Sequence, residues 1–118
     1  MERVFKTLVT VGKSGGHYVF MVPVAEELDL KKAAAAAGEK SLSMLPQKEL
    51  LPLTGYIHGG CSPIGMKKVF PTFVHETAAA QEILYFSAGR VGLQIGTSPA
   101  ALEAAVKLHY ADIIVRRD

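Results

Sequence analysis

Two β-rich runs joined by a glycine turn constrain this chain more than any other feature. Residues 4–11 read Val, Phe, Lys, Thr, Leu, Val, Thr, Val. Branched and aromatic side chains of this kind suit a pleated, half-buried surface, so the run predicts a strand. Lys13, Ser14, Gly15 and Gly16 follow as a hairpin turn signal. Residues 18–22 then predict the return strand, stopped by Pro23.

The rest of the chain mixes short helices with short strands. Asp29 is placed to cap a helix over residues 30–37, and Gly38 to end it. Five consecutive alanines favour that helix and leave little bulk, so another element can approach closely. Residues 40–45 predict a short strand, and Pro46 opens a helical turn through Leu50. Residues 55–58 read as an extended piece entering a glycine-rich loop at 59–65. Pro71 interrupts the apolar residues 68–74, which predicts an edge strand at best. A helical turn is expected over 76–82. A second hairpin follows, with strands at 83–87 and 91–95 around Ala88, Gly89 and Arg90. Ser98 and Pro99 read as N-cap and first residue of a helix reaching about His109. Residues 111–115 predict a last strand. Hairpins dominate, which predicts an α+β domain around a mostly antiparallel sheet.

Composition narrows the class. The 118 residues suit one domain with one core; 49% are hydrophobic and 20% charged, the balance of an ordinary globular chain. No apolar run approaches the roughly 18 residues of a membrane span, and the first residues lack a secretion pattern. Cys61 is the only cysteine, so no internal disulfide forms, and a reducing cytoplasm fits best. A net charge of +2 does not by itself establish a nucleic-acid partner. The doublets Lys31–Lys32, Lys67–Lys68 and Arg116–Arg117 are either phosphate contacts or solvated surface.

Candidate chemistry centres on the loop of Gly59, Gly60, Cys61, Ser62, Pro63, Ile64 and Gly65. Adjacent glycines let a ligand approach main-chain N–H groups, as a phosphate or oxyanion site requires. The same pattern also serves as a tight strand connection. Cys61 would act as a nucleophile only beside a base such as His58, His75 or His109; a lone cysteine is more often a small buried hydrophobe. The four histidines, His17 included, lack metal-ligand spacing, and no metal or cofactor is expected. Lys6 shares a strand face with Val4 and Leu8, so it needs an anion, a cleft or an exposed edge.

Four segments, VFKTLV, VPVAEELDLKK, TGYIHGGCSPIGMKK and YFSAGRVGLQI, resemble in order and spacing the YbaK/EbsC family of stand-alone aminoacyl-tRNA deacylases. That family is related to the editing domain of bacterial prolyl-tRNA synthetases. The resemblance covers nearly all of residues 1–118 as one editing domain. It implies a mixed, mostly antiparallel or barrel-like sheet flanked by helices. It places the family's functional lysine on Lys6, its glycine loop on Gly59, Gly60 and Pro63, and its hairpin serine on Ser87. Ser62, Gln94, Lys67 and Lys68 complete the implied substrate contacts. The implied substrate is a mischarged aminoacyl-tRNA, foremost Cys-tRNA(Pro) or Cys-tRNA(Cys), hydrolysed in trans without a protein nucleophile. Prolyl- or cysteinyl-tRNA synthetase is an implied partner. Two departures stand out. Gln94 occupies a place where the family often has Asp, so it can hydrogen-bond but carries no charge. Family members also carry a longer segment before the lysine strand; without it, exposed apolar surface would invite a homodimer. These departures favour the alternative of a non-catalytic module binding the tRNA acceptor end or a synthetase.

Overall fold

The computed structural model describes residues 3–116. Strands β1 (Phe5–Gly12) and β2 (His17–Pro23) form the expected antiparallel hairpin, with Thr10 opposite Tyr18 and Phe5 opposite Pro23. Gly12 N–H donates to Gly16 C=O at 2.7 Å, and Gly15 takes φ +93° to close the turn. Pro23 is the strand's last residue, not its breaker. Val24 N–H reaches Val4 C=O at 2.9 Å, which makes the neighbouring Phe5–Pro23 pair a non-hydrogen-bonded one. No N–H is needed from Pro23 there.

Helix α1 (Leu30–Ala37) has the predicted bounds. Asp29 Oδ1 accepts from the N–H groups of Lys31 (2.9 Å) and Lys32 (3.0 Å), and Gly38 closes the helix at φ +75°. Ala33 and Ala34 are buried against Phe20, Val22, Leu42, Phe73 and Ile113, a contact that only a small side chain allows. β3 (Leu42–Met44) then pairs antiparallel with the far end of β1. The turn expected after Pro46 grows into α2 (Gln47–Thr54), which tolerates Pro52 near its end and stops at Gly55, φ +88°.

The remaining elements bring three corrections. Strand β4 (Thr72–His75) is not an edge: it is buried along its length, parallel to β2 on one side and to β7 (Leu108–Ala111) on the other. Pro71 falls just before the strand, where only its carbonyl is used, by Val19 N–H at 3.0 Å. Next, α3 (Pro99–Ala105) ends well before His109. Val106, Leu108 and Tyr110 alternate as a strand and pack on the central cluster, so tertiary pairing overrides the helical pattern, and β7 replaces the strand expected at 111–115. Lastly, residues 88–90 do not form the second hairpin's turn. β5 (Leu84–Arg90) carries a bulge between Ser87 and Arg90 and meets β6 (Leu93–Thr97) beyond Val91 and Gly92. A 3₁₀ turn (Glu76–Ala80) supplies the expected helical piece before β5.

The main sheet runs β3-β1-β2-β4-β7, with β5-β6 as a separate ribbon. One face carries Phe5, Met21, Val74, Leu84, Phe86 and Leu102; the other packs on α1. A third cluster joins Val9 and Val19 to Leu45, Leu50 and Cys61. The class is the predicted α+β, mixed and mostly antiparallel. Among the described residues no helix is long and apolar enough to cross a membrane.

Candidate active site

The outer edge of β1 is covered in two places and open between them. At one end Leu45 N–H donates to Val9 C=O at 3.0 Å; at the other Tyr85 N–H donates to Arg3 C=O at 2.8 Å, beside an isolated bridge between Val4 and Tyr85. Antiparallel pairing turns alternate residues to opposite edges. Since Val4 bonds toward β2, Thr7 turns its N–H and C=O away from β2, toward the gap between β3 and β5.

A cleft of about 680 Å³ occupies that gap. Its floor is apolar: Phe5, Val9, Leu45, Leu50 and Cys61. Its polar lining is Lys6, Thr7, Gln47, His58, Ser87 and Gln94, with Gly59 at the loop. No Asp or Glu among the described residues lines it. A cavity with a lysine, a histidine and no carboxylate suits an anionic ligand, and desolvated walls strengthen that attraction.

The sheet and ribbon thus bring together Lys6, Gly59, Ser87 and Gln94, which lie far apart in sequence. Ser87 and Gln94 are cross-strand partners of the β5-β6 ribbon. The Ser87 hydroxyl accepts from Gly89 N–H at 3.3 Å, so the bulge orients it. The other predicted residues lie outside this lining. Ser62 is buried and its Oγ accepts from Ile64 N–H at 3.2 Å, holding the loop's own turn. Pro63 is buried beside it. Lys67 and Lys68 are exposed; the Lys67 stem covers Gly55.

Gly60 departs from the expected role of an N–H donor toward the cleft. Its N–H is taken by Ile57 C=O at 3.0 Å. What glycine supplies there is close approach: a Cβ would sit 3.2 Å from Val91 N and 3.3 Å from Arg90 Cα, so the loop lies directly on the ribbon's backbone. Gly59, at φ +84°, keeps the left-handed geometry that other residues resist.

Cys61 lines the cleft, yet burial pushes its thiol up to about 11, so the thiol stays protonated near neutral pH and is a poor nucleophile. His58 is exposed at the rim beside Gly59. His75 and His109 lie elsewhere, on β4 and β7. Among the described residues no group of His, Cys, Asp and Glu is placed to hold a metal. Sequence reasoning missed Thr7 and Gln47. Thr7 neighbours Lys6, so strand alternation sends it to the opposite face; only the open edge brings both to one cavity.

This split sheet, with its ribbon and glycine loop, has the fold of an aminoacyl-tRNA editing domain. The profile of that family matches residues 1–105, and the chain belongs to it. More particularly, the chain is 48% identical over 114 residues to an Enterococcus faecalis protein, EbsC, named as a Cys-tRNA(Pro)/Cys-tRNA(Cys) deacylase; the match covers 97% of this chain and 70% of that relative. A solved structure described as a trans-editing enzyme for prolyl tRNA synthetase superposes with TM-score 0.87 at 28% identity, covering 98% of this chain and 72% of that one. Hypothetical protein APE2540 shares the fold with TM-score 0.87 at 24% identity, covering 97% of this chain and 75% of that one.

Proposed function

We propose that this chain hydrolyses the ester of mischarged aminoacyl-tRNA in trans, with Cys-tRNA(Pro) as the foremost substrate. The observation that carries the reading is the convergence of Lys6, Gly59, Ser87 and Gln94 on one cleft whose described lining holds no carboxylate. Lys6 meets the phosphate or sugar of the tRNA 3′ end, where a cation positions without reading sequence. Ser87 and Gln94 hydrogen-bond the aminoacyl-adenosine across the cleft. The Thr7 N–H, on the open edge of β1, is a fixed donor for the ester carbonyl as it gains negative charge.

The described lining holds no carboxylate and the Cys61 thiol stays protonated; in keeping with the family resemblance, the substrate supplies the nucleophile. The cysteinyl thiol loses its proton and its sulfur attacks the ester carbonyl carbon. The C–S bond forms, the C–O bond to ribose breaks, and the ribose oxygen takes a proton. Water then opens the small thiolactone to free cysteine. Holding sulfur and carbonyl in contact is what the cleft contributes, and proximity of that kind is worth several kcal/mol. A tRNA substrate sets the protein in the cytoplasm, with prolyl- or cysteinyl-tRNA synthetase as the delivering partner. Exposed Leu93 and Ile95 on β6 offer an apolar strand for a homodimer.

The test is release of amino acid from a panel of charged tRNAs by the purified chain. Cysteine release above the uncatalysed rate supports the reading, and silence across the panel refutes it. Gln94, uncharged where the family often has Asp, favours one second reading: a module that binds the acceptor end without cleaving it. Tight binding of uncharged and charged tRNA alike, with no release, would select that reading.

A further inference from the structure

Thr7 is the one anomaly in the cleft's polar chemistry. Its Oγ1 is buried and has no hydrogen-bond partner, the sole such side-chain atom among the described residues. A buried hydroxyl without a partner is destabilising, and native structures avoid the situation unless something else completes the bond. Nearby buried hydroxyls are satisfied: Thr10 Oγ1 donates to Tyr18 C=O at 3.2 Å, and Thr54 Oγ1 to Leu50 C=O at 2.7 Å. Thr7 differs from them in lining the cleft.

Its surroundings restrict what can complete the bond. On the same strand face, Phe5 and Val9 flank Thr7, and Leu45, Leu50 and Cys61 finish the apolar floor. A charged group such as the substrate's α-ammonium gains too little from one hydroxyl to offset losing water against such walls. A small side chain with one weakly polar atom fits both the floor and the hydroxyl.

Building on the deacylase reading, we propose that Thr7 is a specificity residue, and that its hydroxyl hydrogen-bonds the side-chain thiol of a cysteinyl ester. The bond does two things at once. It rewards a side chain bearing a thiol or hydroxyl over alanyl or prolyl groups, which leave Thr7 unsatisfied. It also fixes the sulfur at the strand edge, beside the Thr7 N–H that faces the ester.

The experiment compares the parent with Thr7→Val and Thr7→Ser, measuring kcat/KM for cysteinyl-tRNA(Pro), the Kd of uncleavable cysteinyl- and alanyl-adenosine amides, and thermal melting. Valine keeps the shape and removes the orphan hydroxyl, so Thr7→Val melts at or above the parent. Its cysteine release and its affinity for the cysteinyl amide both fall about tenfold, the scale of one hydrogen bond, and its preference for the cysteinyl over the alanyl amide falls with them. Thr7→Ser restores the preference for cysteine. A Thr7→Val protein with the parent's ratio of cysteinyl- to alanyl-amide affinity overturns the assignment. So does one that melts well below the parent, because the hydroxyl then had a partner within the fold. A parent inactive on every charged tRNA instead refutes the deacylase reading, and this inference with it.

Discussion

Two of the clefts among the described residues carry polar side chains on opposite terms. The second, of about 390 Å³, is lined by Glu26, Lys32, His75, Glu76, Asp112 and Arg116 among others. Its charge is matched from within. Lys32 Nζ bonds Asp112 Oδ2 at 3.1 Å and Ile114 C=O at 3.0 Å, tying α1 to the chain after β7. Ile113 N–H donates to His75 Nδ1 at 3.3 Å. The cleft on the β1 edge has fewer ionisable groups, no carboxylate among its described lining, and an orphan hydroxyl. The richer cluster of charges is thus the structural one. Unmet polar capacity beside an apolar floor marks the site better than charge density does.

Lys6→Ala should separate the two clefts most sharply. It removes the cation from the first and touches nothing in the second. Deacylation should fall by more than about a hundredfold, roughly 2.7 kcal/mol of barrier, with melting little changed. Single-turnover release beside a melting curve checks this, and near-parent activity would detach Lys6 from the chemistry.

Gly60→Val probes how the loop is mounted on the ribbon. The added atoms press on the Arg90–Val91 backbone, so both stability and turnover should fall, stability by about 1–3 kcal/mol. Denaturant unfolding measures the first and release assays the second. An unaffected protein would mean that the loop's close approach is unimportant.

Cys61→Ser should be milder. It puts a hydroxyl in a buried position, so some stability is lost, but release should stay within about tenfold of the parent because the protonated thiol takes no part. A hundredfold loss would restore a protein nucleophile.

Asp112→Asn should do least. The bridge is substantially solvent-exposed, so about 0–1 kcal/mol is at stake and deacylation is unchanged. The Lys32 hydrogen bond, aided by its charge, holds the Asp112 carboxyl below the usual carboxylate range. A depressed carboxylate stabilises the fold above its unfolded pKa and loses that contribution as pH falls through the folded value. The melting difference between parent and variant should therefore be present near neutral pH and vanish in acid. A difference that grows in acid would contradict the pairing.

Local signals were legible where chemistry acts over a few residues. Asp29 and Gly38 bound α1, the Gly15 turn joins β1 to β2, and Ser98 caps α3, because caps and turns are set by neighbouring groups. Elements decided by distant partners were not. β7 exists because β4 lies beside it, and β4 is central because Pro71 falls one residue short of the ladder. The site divided in the same way. Lys6 stood out as a charge in an apolar strand, and the glycine loop by composition. Thr7 carried no local signal, since its meaning comes from the gap between β3 and β5. The engaged N–H of Gly60 was equally invisible, because a glycine's sequence context does not say which of its uses the fold adopts.

The most direct test of the contrast between the clefts is an NMR titration with a cysteinyl-adenosine analogue whose ester is replaced by an uncleavable amide. Saturable shifts at Lys6, Thr7, His58, Gly59 and Ser87, with none at Lys32, His75 and Asp112, are the expected result. Shifts centred on the second cleft, or spread over both without saturation, would contradict the account.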